Sequence, residues 1–211
     1  MAVTTAKGNG RRARRGPTAA GEERRQEILR VAERLFHQDG YHATSLDDVA
    51  EVIGFTKPAI YHYFESKEDI LFELRDRIIR EALDRAAEIT KQGGTSAEQF
   101  TAVLVAHTRT VLEERRANKI YYEEQGLLSG DRERRIREHE RRYELVLRDL
   151  YTQGVADGDL RDVDPGIAVS TLLGACNWAY RWYRPGGDLR PKELAETLVD
   201  LLTHGYRKDL R

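Results

Sequence analysis

The chain has 211 residues, and its 35 Lys and Arg nearly balance its 36 Asp and Glu, which leaves a formal net charge of −1. The charge balance argues against a protein that holds nucleic acid through an overall positive charge. The single cysteine, Cys176, excludes an intrachain disulfide. No apolar stretch approaches the roughly 18 residues of a membrane span, and no signal-peptide core opens the chain, so we expect a cytoplasmic protein without a membrane anchor.

The first 20 residues form a basic segment, in which five cations precede any acid: Lys7, Arg11, Arg12, Arg14 and Arg15. This composition predicts an arm that is disordered when free. Two interpretations stay open for residues 1–20: an arm that follows a DNA backbone or enters a minor groove, and a plain solvated tail. From about Gly21 to Gln38, apolar residues at helical spacing predict the first helix.

The stretch from residue 43 to residue 71 carries the strongest local signals. Ser45 and Asp48 fit a capping box at a helix start, and Gly54 is suited to end that helix in a left-handed conformation. Pro58 then stands where the first turn of a helix tolerates proline. These signals predict two short helices that are joined by a tight turn and pack on the preceding helix.

The helix expected to begin at Thr56, with seven to nine residues, has two unlike sides. Ile60 and Phe64 fall on one side, while Pro58 and His62 fall on the other. An outward face of polar and aromatic groups suits insertion into the major groove of DNA. The alternative is a helical hairpin that is buried in a bundle.

A second capping box is predicted at Ser66 and Asp69, and Lys67 stands beside the amino terminus of the helix that it opens. Free amides, the positive end of a helix dipole and an ammonium group together favour a phosphate. This helix is expected to run past Ala86 and so to connect the first unit with the rest of the chain.

Five further helices are expected after the break at Gly93. Ser96 and Gln99 are predicted to form the capping box of the first. The expected spans, in chain order, are 96–114, 118–128, 130–158, 165–182 with Asp164 as its cap, and a last helix from about residue 191. The charged run that begins the third of these is interpreted as a solvated face.

An enzyme is a remote alternative, as is a helical scaffold without DNA binding. The sequence has no G-x-S-x-G, G-x-x-x-x-G-K-[ST], G-x-G-x-x-G or H-E-x-x-H motif, and its six histidines lack metal-ligand spacing. We therefore expect no catalytic residue, no metal site and no cofactor.

Residues 44–71 resemble the DNA-binding signature of the TetR family of bacterial transcriptional regulators. The similar segments are Gly54-Phe55-Thr56-Lys57, Tyr61-His62-Tyr63-Phe64 and Ser66-Lys67-Glu68. The resemblance implies an all-α protein of about nine helices. A three-helix, helix-turn-helix DNA-binding domain would occupy residues 21–66, and a helical ligand-binding and dimerisation domain residues 67–211.

The resemblance also implies two sets of DNA contacts. The residues that grip phosphates would be Thr44, Thr56, Tyr61 and Lys67, with Ser45 counted among them. The residues that face base edges or the flanking backbone would be Lys57, Pro58, Ala59, His62 and Tyr63. Pro58 and Ala59 are poor hydrogen bonders, so direct readout is expected to depend on Lys57.

The second domain of such a protein would hold a small effector. Residues 177–187 place Trp, Tyr and Arg on an otherwise apolar helix, and they are similar to the corresponding stretch in TetR-like regulators of lipid and steroid breakdown that respond to acyl-CoA thioesters. An acyl-CoA needs an apolar slot, cations and stacking surfaces. The candidate ligand-binding residues are Asn177, Trp178, Arg181 and Trp182, with Tyr121 and Tyr122. The alternative is that these side chains pack a dimer interface.

The expected function is that of a repressor which binds palindromic operator DNA as a homodimer, through its last two helices, and is released by the effector. Such a protein would work in the bacterial cytoplasm, on the nucleoid. The alternative effector is an apolar or cationic drug-like molecule, with an efflux or stress operon as the target.

Overall fold

The computed structural model describes residues 19–205, and every regular element in this range is an α-helix. The helices are α1 (Ala19–Gln38), α2 (Leu46–Ile53), α3 (Lys57–Tyr61), α4 (Lys67–Lys91), α5 (Ser96–Glu113), α6 (Arg115–Glu123), α7 (Gly130–Ala156), α8 (Pro165–Trp182) and α9 (Pro191–His204). The predicted all-α class is confirmed for this range. Apart from Ala19 and Ala20, which begin α1, the predicted basic arm lies outside the described residues. None of these nine helices is long and apolar enough to cross a membrane.

Local side-chain chemistry fixes where α2 and α4 begin. The Ser45 amide donates to Asp48 Oδ2 over 2.8 Å, and the Asp48 amide donates to Ser45 Oγ over 3.2 Å. Ser66 and Asp69 make the same two bonds at the start of α4, over 2.9 and 3.2 Å. Each pair supplies acceptors to amides that the helix itself leaves unpaired. Both predicted capping boxes are confirmed.

The predicted capping box of α5 is wrong by one residue. Thr95 and Glu98 form it, instead of Ser96 and Gln99, because the Thr95 amide donates to Glu98 Oε2 over 2.8 Å and Thr95 Oγ1 accepts from the Glu98 amide over 3.2 Å. Two overlapping S/T-x-x-E/Q patterns occur here, and the carboxylate is the stronger acceptor.

α3 is shorter than expected, with five residues in place of seven to nine. The Tyr63 amide donates to the Ile60 carbonyl, three residues back, over 2.9 Å, so that the last turn tightens and Phe64 enters the core. α6 likewise begins at Arg115 and not at residue 118. The Asn118 amide donates to the Glu114 carbonyl over 2.9 Å, and α6 therefore follows α5 without a loop.

Two hydrophobic cores share α4 and α7. The first core joins α1, α2 and α3 around Ile28 and Val49, and it includes Ile136 of α7. The second core lies among α4, α5, α7, α8 and α9, around Leu104 and Leu147. Because both long helices enter both cores, a domain boundary at residue 66 stays a prediction.

Two adjacent charged residues of α4 are buried where the cores meet. Arg75 and Asp76 are each 3% exposed. Arg75 donates to Glu140 of α7 over 3.5 Å, and its guanidinium lies 5.0 Å from the centre of the Tyr121 ring of α6. Asp76 accepts from Arg80 over 2.7 Å. A buried charge is costly without partners, so these contacts fix α4 against α6 and α7.

Gly54 tests how strictly the turn between α2 and α3 depends on its backbone conformation. Its φ is +79°, and an added Cβ would meet no atom within 4 Å, so that alanine brings conformational strain without a clash. We expect Gly54→Ala to lower the free energy of unfolding by about 1–2 kcal/mol in urea denaturation. Exposed Glu51→Ala, on α2, is the control and should change it by less than about 0.5 kcal/mol. Equal losses in the two variants would contradict this explanation.

Candidate functional site

The face of α3 that points away from the core is a polar and aromatic surface. Ile60 and Phe64 are 0% and 1% exposed and anchor the helix, whereas the Lys57 side chain is 71% exposed. Lys57 contacts the Asp47 carboxylate of α2, and this hydrogen bond raises the pKa of the lysine. The other residues predicted to meet DNA from this segment are also accessible: Thr56, Pro58, Tyr61 and His62 are exposed, and Ala59 and Tyr63 are half-buried.

Lys67 is held by the protein's own backbone. Its ammonium donates to the carbonyls of Tyr41, His42 and Thr44, over 2.9, 3.2 and 3.1 Å, and lies 4.5 Å from the centre of the Tyr41 ring. An ammonium has three N–H donors, and all three are used here. Lys67 therefore fixes the loop between α1 and α2, and a contact with phosphate would require it to leave these carbonyls.

Thr44 and Ser45 are likewise engaged within the protein. Thr44 is 3% exposed and its hydroxyl donates to the Gly40 carbonyl over 2.9 Å, while Ser45 caps α2. Both nevertheless line a surface hollow where the amino termini of α2 and α4 meet, together with Tyr61 and Lys67. Two helix amino termini that converge on one hollow favour an anion such as phosphate.

The helical domain contains an open pocket of about 680 Å³, between α4, α5, α6, α7 and α8. Three of the six predicted ligand residues line it: Tyr121, Tyr122 and Asn177. Its polar side belongs to α7, where Arg137 and Arg141 alternate with carboxylates.

A hydrogen-bonded chain closes the inner end of this pocket. Asn177 Oδ1 accepts from the Tyr122 hydroxyl over 2.7 Å and lies 2.6 Å from His107 Nε2. The other ring nitrogen, Nδ1, lies 3.2 Å from the Tyr143 hydroxyl. Burial, followed by the charge of Arg85, lowers the pKa of His107. A neutral ring with its proton on Nε2 satisfies the whole chain, since it donates to Asn177 and accepts from Tyr143.

Beyond these aromatic residues lies a smaller inner cavity of about 50 Å³. Its walls are mainly apolar: Ile78, Ile79, Ala82, Ala86, Ile89, Val103, Ala106 and Val111. Tyr121, Tyr122, His107 and Tyr143 line both spaces, and they therefore form the partition between them. An open polar mouth thus adjoins a smaller, mainly apolar chamber.

The other three predicted ligand residues lie elsewhere. Trp178 and Trp182 are 57% and 48% exposed on the outer face of α8, and Arg181 pairs with Glu123 over 3.4 Å while its guanidinium lies over the Trp178 ring. None of the three lines the pocket or the inner cavity. Their contact with a ligand stays a prediction without support from this geometry.

Sequence reasoning missed the arginines of the pocket. Arg137 and Arg141 stand in the charged first half of α7, which was interpreted as a solvated face. Their spacing of four residues puts them on one side of the helix. That spacing was a usable signal, but nothing local in the sequence connects it with α6 or α8.

These features define a helical DNA-binding protein with an internal ligand cavity, and comparisons with known proteins agree. Residues 28–74 match the model for bacterial regulatory proteins of the tetR family, and residues 93–206 match the tetracyclin repressor-like C-terminal domain. The chain is 27% identical to the HTH-type transcriptional repressor KstR2 of Rhodococcus jostii, over 89% of this chain and 93% of that protein.

Solved structures give the same result. A transcriptional regulator of the TetR/AcrR family from Thermobifida fusca is 50% identical, with a TM-score of 0.72, over 88% of this chain and all of that one. AibR, in complex with isovaleryl coenzyme A and operator DNA, is 25% identical, with a TM-score of 0.77, over 85% of this chain and 98% of that one. The chain belongs to the TetR family of bacterial transcriptional regulators, and it is a ligand-responsive regulator that binds DNA.

The bonds of Lys67 predict an unusual response to its removal. Lys67→Met should lower the free energy of unfolding by about 1–3 kcal/mol, because three carbonyls lose a charged donor. It should also weaken binding to duplex DNA from upstream of the protein's own gene. The slope of log affinity against log salt should stay unchanged, whereas a lost phosphate contact would lower its magnitude by about 0.9.

Lys57→Met is the matched control, since Lys57 is an exposed lysine of the same surface. It should reduce the salt slope by up to about 0.9 and leave stability within about 0.5 kcal/mol. A reduced salt slope for Lys67→Met, with unchanged stability, would show instead that Lys67 contacts a phosphate.

Proposed function

We propose that this protein is a repressor that binds a palindromic operator as a homodimer and is released by an acyl-CoA thioester. The observation that carries the effector assignment is that two unlike spaces adjoin: a mouth lined by two arginines and two glutamates of α7, and a mainly apolar inner chamber. The acyl group would enter the chamber, and the phosphates of the coenzyme would meet the mouth. The known structure of AibR with isovaleryl coenzyme A supports this assignment over a drug-like effector.

The mouth has charges suited to phosphates. Arg141 has no ion pair within the described chain, while Arg137 contacts Glu133 over 3.4 Å. Guanidinium groups bind phosphate oxygens through paired N–H donors. A larger cleft of about 840 Å³ between α1, α4 and the α8–α9 loop is less suitable, because its four glutamates outnumber its three arginines, Arg77, Arg115 and Arg116.

Entry of the acyl group would require the partition to open. The bonds from Tyr122 and His107 to Asn177 hold it closed, so a ligand that passes between them must replace those bonds or leave them broken. Tyr121, which also belongs to the partition, donates to Glu140 over 2.5 Å, and Glu140 is the acceptor for buried Arg75 of α4. Movement at the partition would therefore reach α4 directly.

α7 offers a second connection to the DNA-binding surface. Its mouth residues stand one to three turns after Arg132, which contacts Asp69 in the capping box of α4. That box lies beside the hollow proposed for phosphate. A ligand shifts such an equilibrium only if it binds one arrangement of these helices more tightly than the other.

On the DNA side, we assign base reading to the exposed face of α3, with Lys57 as the principal donor. Thr56 and Tyr61 would contact phosphates, and the amides at the hollow would hold another phosphate. Thr44 and Lys67 would act by fixing the loop that forms this hollow. No enzymatic role is proposed.

The outer face of α8 is proposed as the centre of the dimer interface, together with α9. Ile167, Trp178 and Trp182 of α8 and Leu201 of α9 are 65%, 57%, 48% and 47% exposed. Large exposed apolar side chains along one face of a helix pair are typical of a protein–protein interface. A two-fold partner would also place two α3 helices one turn of DNA apart.

Arg141 gives the test of the effector site. Arg141→Met should weaken binding of butyryl-CoA and longer thioesters about tenfold in calorimetry, because one charged phosphate contact is lost. Binding to the upstream DNA should stay unchanged. Arg142→Met is the matched control, since Arg142 is the next residue and does not line the pocket. If no acyl-CoA binds the wild-type protein, or if none releases it from DNA, the effector assignment is wrong.

Trp178 gives the test of the interface. Trp178→Glu should convert the dimer to monomer at micromolar concentration in light scattering, because a carboxylate would be buried without a partner. DNA affinity should fall with it. Leu145→Glu on α7 is the control, since Leu145 is 45% exposed away from α8 and α9. A Trp178→Glu protein that remains dimeric would remove α8 from the interface.

A further inference from the structure

Arg85 is a cation in a chamber whose walls are otherwise mainly apolar. It extends from α4 into the inner cavity, opposite Val103 and Ala106 of α5. Its guanidinium donates to the Thr110 hydroxyl, which in turn donates to the Ala106 carbonyl over 3.0 Å. Within residues 19–205 Arg85 forms no ion pair.

The other arginines of α4 differ from it in this respect. Arg75 has Glu133 and Glu140 within 3.9 and 3.5 Å, Arg77 has Glu33 at 3.1 Å, and Arg80 has Asp76 at 2.7 Å. The other three arginines of this helix are thus each neutralised by a carboxylate. Arg85, which lines the chamber, is not.

No carboxylate of the described residues lies within ion-pair distance of Arg85, although Glu114 is near enough to be affected by its charge. Burial raises the pKa of Glu114, and the charge of Arg85 offsets this only in part, without an ion pair between them. His107 is kept neutral by burial and by the charge of Arg85. A guanidinium that faces apolar walls and lacks an anion gains most from a carboxylate, which takes two of its parallel N–H donors.

We propose that Arg85 determines effector specificity by binding a carboxylate at the far end of the acyl group. The proposal rests on the proposed function, because it takes the acyl group into the inner cavity with the coenzyme at the mouth. The effector class is then the CoA thioesters of dicarboxylic acids. Saturated acyl groups of equal length would occupy the same chamber once it opens, but would leave the guanidinium without an anion.

Calorimetry with two thioesters of six carbons tests this: adipoyl-CoA, which ends in a carboxylate, and hexanoyl-CoA, which ends in a methyl group. The wild-type protein should bind adipoyl-CoA at least about tenfold more tightly, as a charged hydrogen-bonded pair predicts. Arg85→Met should bring the two affinities within about threefold of each other by weakening adipoyl-CoA alone. Arg85→Lys, which keeps the charge, should retain part of the preference.

Arg109→Met is the matched control, since Arg109 is half-exposed on α5, pairs with Glu113 and lines neither space. It should keep the full preference. A third ligand, 5-oxohexanoyl-CoA, carries a keto oxygen and no terminal carboxylate. It shows whether Arg85 requires a carboxylate or binds any acceptor oxygen. If it binds as tightly as adipoyl-CoA and also depends on Arg85, the carboxylate assignment is overturned in favour of a keto oxygen.

The role of Arg85 and the binding of a thioester can be refuted separately. If Arg85→Met keeps the preference, or if the wild-type protein has none, the role of Arg85 is refuted while thioester binding stands. If no thioester binds at all, the proposed function falls and this inference falls with it. Unchanged DNA binding and circular dichroism of Arg85→Met would exclude misfolding as the cause of any loss.

Discussion

The packing of α4 against α7 is the contact on which both halves of this protein depend. Ile136 of α7 belongs to the core beneath the helix-turn-helix, and Leu147 of the same helix belongs to the core beside the cavity. The residues between them line the mouth of the pocket. A rigid helix that enters both cores transmits a displacement at one end to the other, because close-packed interiors adjust by discrete repacking and not by gradual yielding.

The charges buried at this contact favour one specific arrangement of α4 on α7, in addition to the stability that the packing provides. Arg75 lies between Glu133, Glu140 and the ring of Tyr121. Burial, reinforced by Glu140, raises the pKa of Tyr121, so the phenol stays neutral and donates. Replacing such a group by an apolar one is often harmless to stability, but removing one partner leaves an unpaired charge. The network therefore favours one register of α4 on α7 and penalises intermediate ones.

How far the sequence predicted this structure depends on the range of each interaction. The capping boxes at Ser45 and Ser66 need only residues three apart, and the turn at Gly54 needs only its own backbone, so local patterns were sufficient. The ties of Lys67 to the α1–α2 loop span 23 to 26 residues. The bond between His107 and Asn177 spans 70 residues. No periodicity encodes such pairings, and the same limit explains why the sequence did not show that Arg85 and Arg141 line the two spaces or that Trp178 lines neither.

The small size of the inner chamber implies that a ligand would have to move the surrounding helices to enter it. A space of about 50 Å³ holds a few water molecules at most, which is too little for an acyl chain. The proposed thioester would therefore bind only arrangements in which α4, α5 and the partition have moved apart. The arrangement in this structure keeps the bonds of Asn177 and the charges around Arg75, and an open one would lose them and gain the ligand. An effector that binds only the open arrangement would meet the requirement for a population shift, and α4 would carry the change to the capping box at Ser66, beside the hollow proposed for phosphate.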